Sequence, residues 1–407
     1  MADVIIIGAG PAGAIAGALL ARRGYAVLVL ERQKFPRFSI GESLLANSMQ
    51  FIEEAGMLEA VLAGGFQFKN GAAFVRDGEY SDYNFSQKSA AGYSYTFQVP
   101  RADFDKVLAD EAARQGAEIR YEVEINAVDF SGASPQVTAR DPAGEQSQHR
   151  ARFVIDASGF GRTLPRLLNL ERPSDFPVRA ALFTHIEDHV EAGAFDRQKI
   201  RVSIHPRERE VWYWLIPFSN GRSSLGVVAS REFHQRYQGT TSERLWQIVG
   251  EEPSLAKLLS QARPVAQVGE IVGYAANVTR LHGDGFALLG NAAEFLDPVF
   301  SSGVTIAMQS ASLAARAIDR QLRGQTVDWS AEFDAPLKYG VETFRAFVTS
   351  WYDGTLQDVI FYPRQEEQIR RHICSVLAGY AWDTANPYTG MHAQRRLNAL
   401  ARLCRDA

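Results

Sequence analysis

Short apolar runs, glycine turns and amphipathic stretches alternate along this chain. The first 31 residues set the pattern. Val4-Ile5-Ile6-Ile7 is a continuous apolar run, and Ala26-Val27-Leu28-Val29-Leu30 is another. Between them lie Gly8-Ala9-Gly10-Pro11-Ala12-Gly13 and a small-residue stretch from Ala14 to Ala21. Apolar runs without polar alternation are expected of strands buried on both faces of a parallel sheet. The predicted order is strand, glycine turn, helix, strand, and the second strand ends on Glu31.

Pro36 and Gly41 then predict a loop, with a helix starting near Glu42. From about Gly64 to Gln98 the chain is rich in spaced aromatics, among them Tyr80, Tyr83, Phe85, Tyr93, Tyr95 and Phe97, and reads as β-strands. Pro100 to Gln115 reads as a helix with Asp103 as its cap. Strands are expected at Glu118–Phe130, Gln136–Arg140 and Phe153–Asp156. Residues 176–274 return to strand patterning, with one helix at Ser242–Gly250. A buried strand at Phe286–Gly290 leads through a loop into a helix from Gly303 to Leu322, and the last 80 residues read as helical.

The expected fold class is α/β (α+β overall). A Rossmann-like dinucleotide-binding domain, residues 1–65, 98–175 and 275–325, is interrupted by an antiparallel β-sheet substrate domain, residues 66–97 and 176–274, and followed by a helical C-terminal region, residues 326–407.

The 407 residues are 46% hydrophobic and 22% charged, ordinary for a globular protein, with a net charge of -4 that argues against nucleic acid as a partner. Cys374 and Cys404 form no disulfide framework and no CxxC pair, which suits a reducing compartment. The first apolar run lacks a basic leader and is cut by glycines, so it reads as a strand rather than a signal peptide. No apolar run reaches the roughly 18 residues of a membrane span. A cytoplasmic location is expected. The eight histidines are scattered without ligand spacing, and no metal site is expected.

The glycine turn carries the first chemistry. Gly8 permits a tight turn, Gly10 lets backbone approach a pyrophosphate, and Gly13 lets helix pack on strand. The amides of the following helix, with Ala12 in its first turn, face the phosphates. Glu31 lies 18 positions after Gly13, placed to accept from ribose hydroxyls. The expected ligand is a dinucleotide.

Three further segments are similar to the flavoprotein hydroxylase superfamily, whose fold resembles that of p-hydroxybenzoate hydroxylase. They are Pro100-Arg101-Ala102-Asp103-Phe104-Asp105, Asp156-Ala157-Ser158-Gly159 and Gly290-Asn291-Ala292-Ala293. Asn291 stands where that superfamily has an acid; it keeps a hydrogen bond and lacks the charge. Three more segments narrow the match: Trp212-Tyr213-Trp214-Leu215-Ile216-Pro217 is a WxWxIP pattern, Asp297-Pro298-Val299-Phe300-Ser301-Ser302-Gly303-Val304 is a loop before a helix, and Arg37 to Leu44 is a strap. Together they resemble the flavin-dependent halogenases, over about residues 1–390. The resemblance implies FAD as cofactor. Its contacts would come from the glycine turn, Glu31, Arg32, Arg37, Ile40, Gly41, Glu42, Ser43, Arg101, Asp156, Ala157, Ser158, Gly159, Gly290, Asn291, Pro298, Gly303 and Val304.

On a strand, Trp212, Trp214 and Ile216 point one way, and Tyr213 and Leu215 the other. In the family such indoles are taken to keep the flavin from the organic substrate. Amides at Ser302 and Gly303, by a helix start, suit a small anion, and the resemblance implies halide there. Phe66-Gln67-Phe68-Lys69-Asn70-Gly71-Ala72 resembles the segment that carries the family's active-site lysine, and a lysine partly buried among aromatics can have a lowered pKa and act as nucleophile or hydrogen-bond donor.

The resemblance implies that reduced FAD, oxygen and chloride or bromide produce hypohalous acid, which reaches Lys69 and halogenates an aromatic or polyene precursor of a natural product or pigment. Phe300 stands where tryptophan halogenases carry glutamate, which favours the branch acting on phenols, pyrroles or carrier-tethered acyl groups. No second glycine fingerprint for NAD(P)H is present, so a separate flavin reductase is expected as partner. The alternatives are a monooxygenase or a double-bond reductase of the geranylgeranyl reductase type on the same fold, and a catalytically silent flavoprotein.

Overall fold

The structure, a computed structural model, describes residues 1–406. Strands β1 (Ala2–Ile7) and β2 (Val27–Glu31) pair in parallel with Val4 opposite Val27, and between them runs helix α1 (Pro11–Ala21). The sheet extends in the order Phe286–Leu288, Gln146–Asp156, β1, β2, Glu118–Tyr121, all parallel. β1 and β2 are neighbours in both sequence and sheet, whereas the later strand Gln146–Asp156 joins the other side of β1, so the order reverses there. Ligands in open α/β sheets bind at such a switch point. The β1 residues from Val4 to Ile7 are buried, as a strand covered on both faces requires. After Pro11, helix α1 is built of Ala, Gly, Ile and Leu, and it is buried along nearly its whole length against the helices Arg101–Arg114 and Ser302–Leu322.

A second sheet covers the other half. Its order is Arg263–Pro264, Arg179–Glu187, Arg222–Ser230, Trp212–Pro217, Lys199–Ile204, β4 (Gly71–Arg76), β5 (Glu79–Asn84), where β3 (Gln67–Lys69) precedes β4 in the chain. All neighbours are antiparallel except Lys199–Ile204 with β4. One face packs into the main core through Trp212, Trp214 and Ile216. The other face, with Tyr213, Leu215, Leu225 and Val227, forms a separate core under the helix Thr241–Val249. That helix starts with a full capping box between Thr240 and Glu243. The C-terminal helices Ala335–Tyr352, Thr355–Ile360, Glu367–Leu377 and Ala393–Asp406 close the molecule. No helix among the described residues is long and apolar enough to cross a membrane.

Four local expectations are corrected. Residues 176–274 hold three helices rather than one: Arg231–His234, Thr241–Val249 and Pro253–Leu258. No helix starts at Glu42: the strap is extended there, and helix begins only at Ser48. Strand β6 (Thr96–Gln98) captures it, with Leu44 N donating to Phe97 O at 3.1 Å and Val99 N to Glu42 O at 2.7 Å. Asp103 does not cap its helix; it sits in the first turn, and Pro100 holds the cap position. The predicted strand Glu118–Phe130 is two strands, Glu118–Tyr121 and Glu124–Asp129, because Glu122 turns the chain with φ of 62°.

Candidate functional site

The ends of β1 and β2 open onto a cavity of about 430 Å³ that runs between the two sheets. At its floor the glycine turn takes the geometry its residues allow. Gly8 has φ of 97°, in the left-handed region. A Cβ on Gly13 would stand 1.9 Å from Gly8 O, so only hydrogen fits where α1 meets the turn. Gly10 and Ala12 face the cavity directly. Glu31 lines it too: Oε2 accepts from Ala9 N at 2.8 Å and Oε1 from Gln33 N at 2.9 Å. Each carboxylate oxygen keeps lone-pair capacity for a further donor.

Opposite the turn, Asp105 organises two arginines. Arg101 binds both its oxygens, Nε to Oδ1 at 2.7 Å and Nη2 to Oδ2 at 3.0 Å, and Arg37 Nη1 donates to Oδ2 at 2.8 Å. Arg101 Nη1 also donates to Ile40 O at 2.7 Å, which clamps the strap against the cavity. Arg32, Arg37, Ile40, Gly41, Glu42, Ser43 and Arg101 all line it. So do Ala157, Ser158 and Gly159 at the end of the Gln146–Asp156 strand, and Gly290, Asn291, Pro298, Gly303 and Val304.

Trp212, Trp214 and Ile216 present their side chains to the same space. The two indole rings lie 5.9 Å apart. Trp212 Nε1 donates to Tyr352 Oη at 2.9 Å and Trp214 Nε1 to Ser224 Oγ at 3.0 Å, so both polar edges are satisfied inside the protein. Trp214 lies across the strand pair from Gly226, where a Cβ would stand 2.2 Å from its ring.

Four of the expected site residues lie outside the lining. Gly13 packs behind the turn. Asp156 is buried and accepts from Ser158 N at 2.8 Å and Leu164 N at 2.6 Å; it shapes the turn that carries Ala157 to Gly159. Burial raises its pKa against the pull of those hydrogen bonds. Ser302 is buried in the first turn of its helix, whose leading amides have no intrahelical acceptor. Lys69 ends β3, and only 1% of it is exposed. Its Nζ donates to Ser43 Oγ at 2.7 Å and Leu44 O at 2.6 Å. Burial alone pushes it down to a pKa of about 7.

Sequence reasoning missed a second buried group. Asp297 Oδ1 accepts from Val299 N at 3.0 Å, and Oδ2 accepts from Tyr352 Oη at 2.9 Å and Tyr274 Oη at 3.1 Å. Burial pushes it up to about 6. Tyr352 is the residue that receives Trp212, so one carboxylate ties the loop before the Ser302–Leu322 helix to the indoles. Asp297 opens the loop before the Ser302–Leu322 helix, but its partners Tyr274 and Tyr352 come from remote segments without a local signal. His185, hydrogen-bonded to Glu42, was also unmarked.

A flavin dinucleotide fits this site. The glycine floor leaves backbone bare where a phosphate would sit, the acid waits at the ribose position, and the indoles and the strap line the rest of the cavity. Comparison with known proteins agrees. The family model described as an FAD binding domain matches residues 1–332. The 1H-pyrrole-2-carbonyl-[peptidyl-carrier protein] chlorinase of Pseudomonas fluorescens is 28% identical, over 93% of this chain and 89% of that protein. A flavoprotein/dehydrogenase of Cytophaga hutchinsonii superposes with a TM-score of 0.96 at 45% identity, covering 100% of this chain and 99% of its own. A flavin-dependent brominase superposes with a TM-score of 0.84 at 28% identity, with both chains fully covered.

Proposed function

The chain belongs to the FAD-binding domain family, as a flavoprotein oxidoreductase of the flavin-dependent halogenase group, and from that premise we propose that it halogenates an electron-rich aromatic ring, a pyrrole or a phenol, presented free or on a carrier protein. The observation that carries the reading is the pairing of Trp212, Trp214 and Ile216 on the cavity with a buried lysine, Lys69, that reaches the cavity residue Ser43. When bound, reduced FAD activates oxygen so that halide is oxidised to hypohalous acid.

The chain's own residues supply the rest. The turn from Gly8 to Gly13 and Glu31 hold the dinucleotide, and Arg101 and Arg37 fix the strap over it. Free amides at Ser302 and Gly303 offer the halide a site at a helix N-terminus, where the macrodipole favours an anion. The indoles exclude water and keep a bulky substrate from the flavin. Lys69 holds the proton that activates the oxidant. A separate reductase delivers the reduced flavin.

The test supplies chemically reduced FAD, oxygen and bromide, with a phenol as trap. Bromide-dependent bromination of the trap supports the reading. Reoxidation of the flavin without brominated product refutes it. A second reading, a dehydrogenase or reductase, draws on the name of the 45% identical neighbour; turnover without oxygen would favour it.

A further inference from the structure

Lys69 is sealed, and its contact with the cavity is indirect. Ser43 lines the cavity and Lys69 does not. Ser43 Oγ accepts the lysine proton at 2.7 Å and makes no other hydrogen bond among the described residues. A hydroxyl that accepts still has its own proton to give. The position of Ser43 is held on both sides: Leu44 N donates to Phe97 O and Val99 N to Glu42 O, so the strap runs as a third strand beside β6. Lys69 lies opposite Thr96, and Ser43 opposite Gln98. Directly opposed residues share a face, and so do residues two apart on one strand. Lys69, Thr96, Gln98 and Ser43 therefore form one buried polar face. On it Thr96 Oγ1 and Gln98 Oε1 have no partner, which leaves the cluster spare hydrogen-bonding capacity.

We infer that Ser43 is the catalytic group that meets the oxidant, and that Lys69 acts through it as proton reservoir. The inference rests on the halogenation reading above. When the ring carbon takes the halogen from hypohalous acid, the halogen–oxygen bond breaks and its electron pair leaves on oxygen. That oxygen takes the Ser43 proton, Lys69 reprotonates Ser43, and water departs. The halogenated carbon then sheds its proton, which returns through Ser43 to the neutral Lys69 amine. The sum is a C–H bond and hypohalous acid converted to a C–halogen bond and water. Such a reservoir works best with both protonation states accessible near neutral pH, and burial places Lys69 there. The groups facing it are Ser43, the Leu44 carbonyl, Thr96 and the Phe85 ring at 5.4 Å from Nζ, and none carries a charge.

The experiment compares Ser43→Ala and Ser43→Thr with the wild type in two measurements. One is bromination of a phenol trap with reduced FAD and oxygen. The other is the titration of Lys69, followed by NMR of ¹³C-labelled lysine in the FAD-free protein. We expect Ser43→Ala to lower kcat for bromination by about 100-fold with KM little changed, and Ser43→Thr, which keeps the hydroxyl, to restore most of it. We expect the Lys69 midpoint to fall in Ser43→Ala, because the ammonium loses an acceptor, and to recover in Ser43→Thr. Bromination by Ser43→Ala at the wild-type rate, or an unmoved Lys69 midpoint, overturns the inference alone. A wild type that reoxidises reduced FAD and brominates nothing overturns the halogenation reading and this step with it.

Discussion

The two sides of Ser43 are built on opposite principles. On the cavity side, space is kept open by what side chains lack: a Cβ on Gly8 would stand 2.7 Å from Ala157 O and one on Gly13 1.9 Å from Gly8 O, and Gly10 leaves backbone bare at the cavity. On the Lys69 side, space is closed by what side chains add. Phe85 lies over the lysine, with its ring centroid 5.4 Å from Nζ, and Lys69 is only 1% exposed. The open side binds through backbone geometry and can stand ready before the ligand arrives. The sealed side acts through desolvation, which sets a pKa without any neighbouring charge. On the proposed function, this chain separates holding its cofactor from tuning its chemistry, and Ser43 joins the two.

The sharpest way to break the contrast is Lys69→Ala. It empties the sealed side and leaves the floor untouched, so bromination should fall by roughly 10³-fold, within the range of a lost general acid, while FAD still binds. Bromination at near wild-type rate in that variant would remove Lys69 from the chemistry.

Next in size is the energetic cost of the buried lysine. The unfolded chain holds the Lys69 proton to its ordinary value of 10.5, and the native protein releases it near 7. The unfolded state thus binds more protons between those values, and stability rises with pH across that window. The contribution is on the order of 3–4 kcal/mol by pH 10, at ~1.4 kcal/mol per pH unit. Urea unfolding at pH 7, 8.5 and 10 should show this rise in the wild type and lose it in Lys69→Met. Equal slopes in both would mean that the lysine is not desolvated.

The floor is tested by Gly13→Ala. Its methyl group would collide with Gly8 O, whereas one on Gly10 would meet only the Arg37 guanidinium, at 3.5 Å. FAD affinity should drop by about 50-fold for Gly13→Ala, a loss of ~2 kcal/mol, and by less for Gly10→Ala. Fluorescence titration with FAD checks the order; the reverse order would show that pyrophosphate approach, not helix packing, limits binding.

The second buried carboxylate is tested by Asp297→Ala. It leaves the Val299 amide and the Tyr274 and Tyr352 hydroxyls without their acceptor, at a cost of about 1–3 kcal/mol for each that stays unpaired. A shift in the urea midpoint measures it. An unchanged midpoint would show that water or a rearranged partner replaces the carboxylate.

What was legible in the sequence follows the range of the forces involved. The glycine turn, the alternation in Trp212 to Ile216 and the loop before the Ser302–Leu322 helix are local patterns, and their residues meet at one cavity. The strap's sequence reads as helix from Glu42, whereas its extended form is imposed by β6, whose backbone groups lie more than 50 residues along the chain. The Asp297 cluster was invisible for the same reason: Tyr352 is 55 residues away. Lys69 was found from its segment, but that it is sealed behind Ser43 depends on three strands coming together.

Gly226 lies on a strand that takes no part in the chemistry, yet it decides how flat Trp214 can lie. A methyl group there would push the indole toward the cavity. If the indoles screen the flavin as proposed, the gauge of that sieve is cut by a single hydrogen atom one strand away. Selectivity for what passes could be retuned from that position without replacing any residue that reacts.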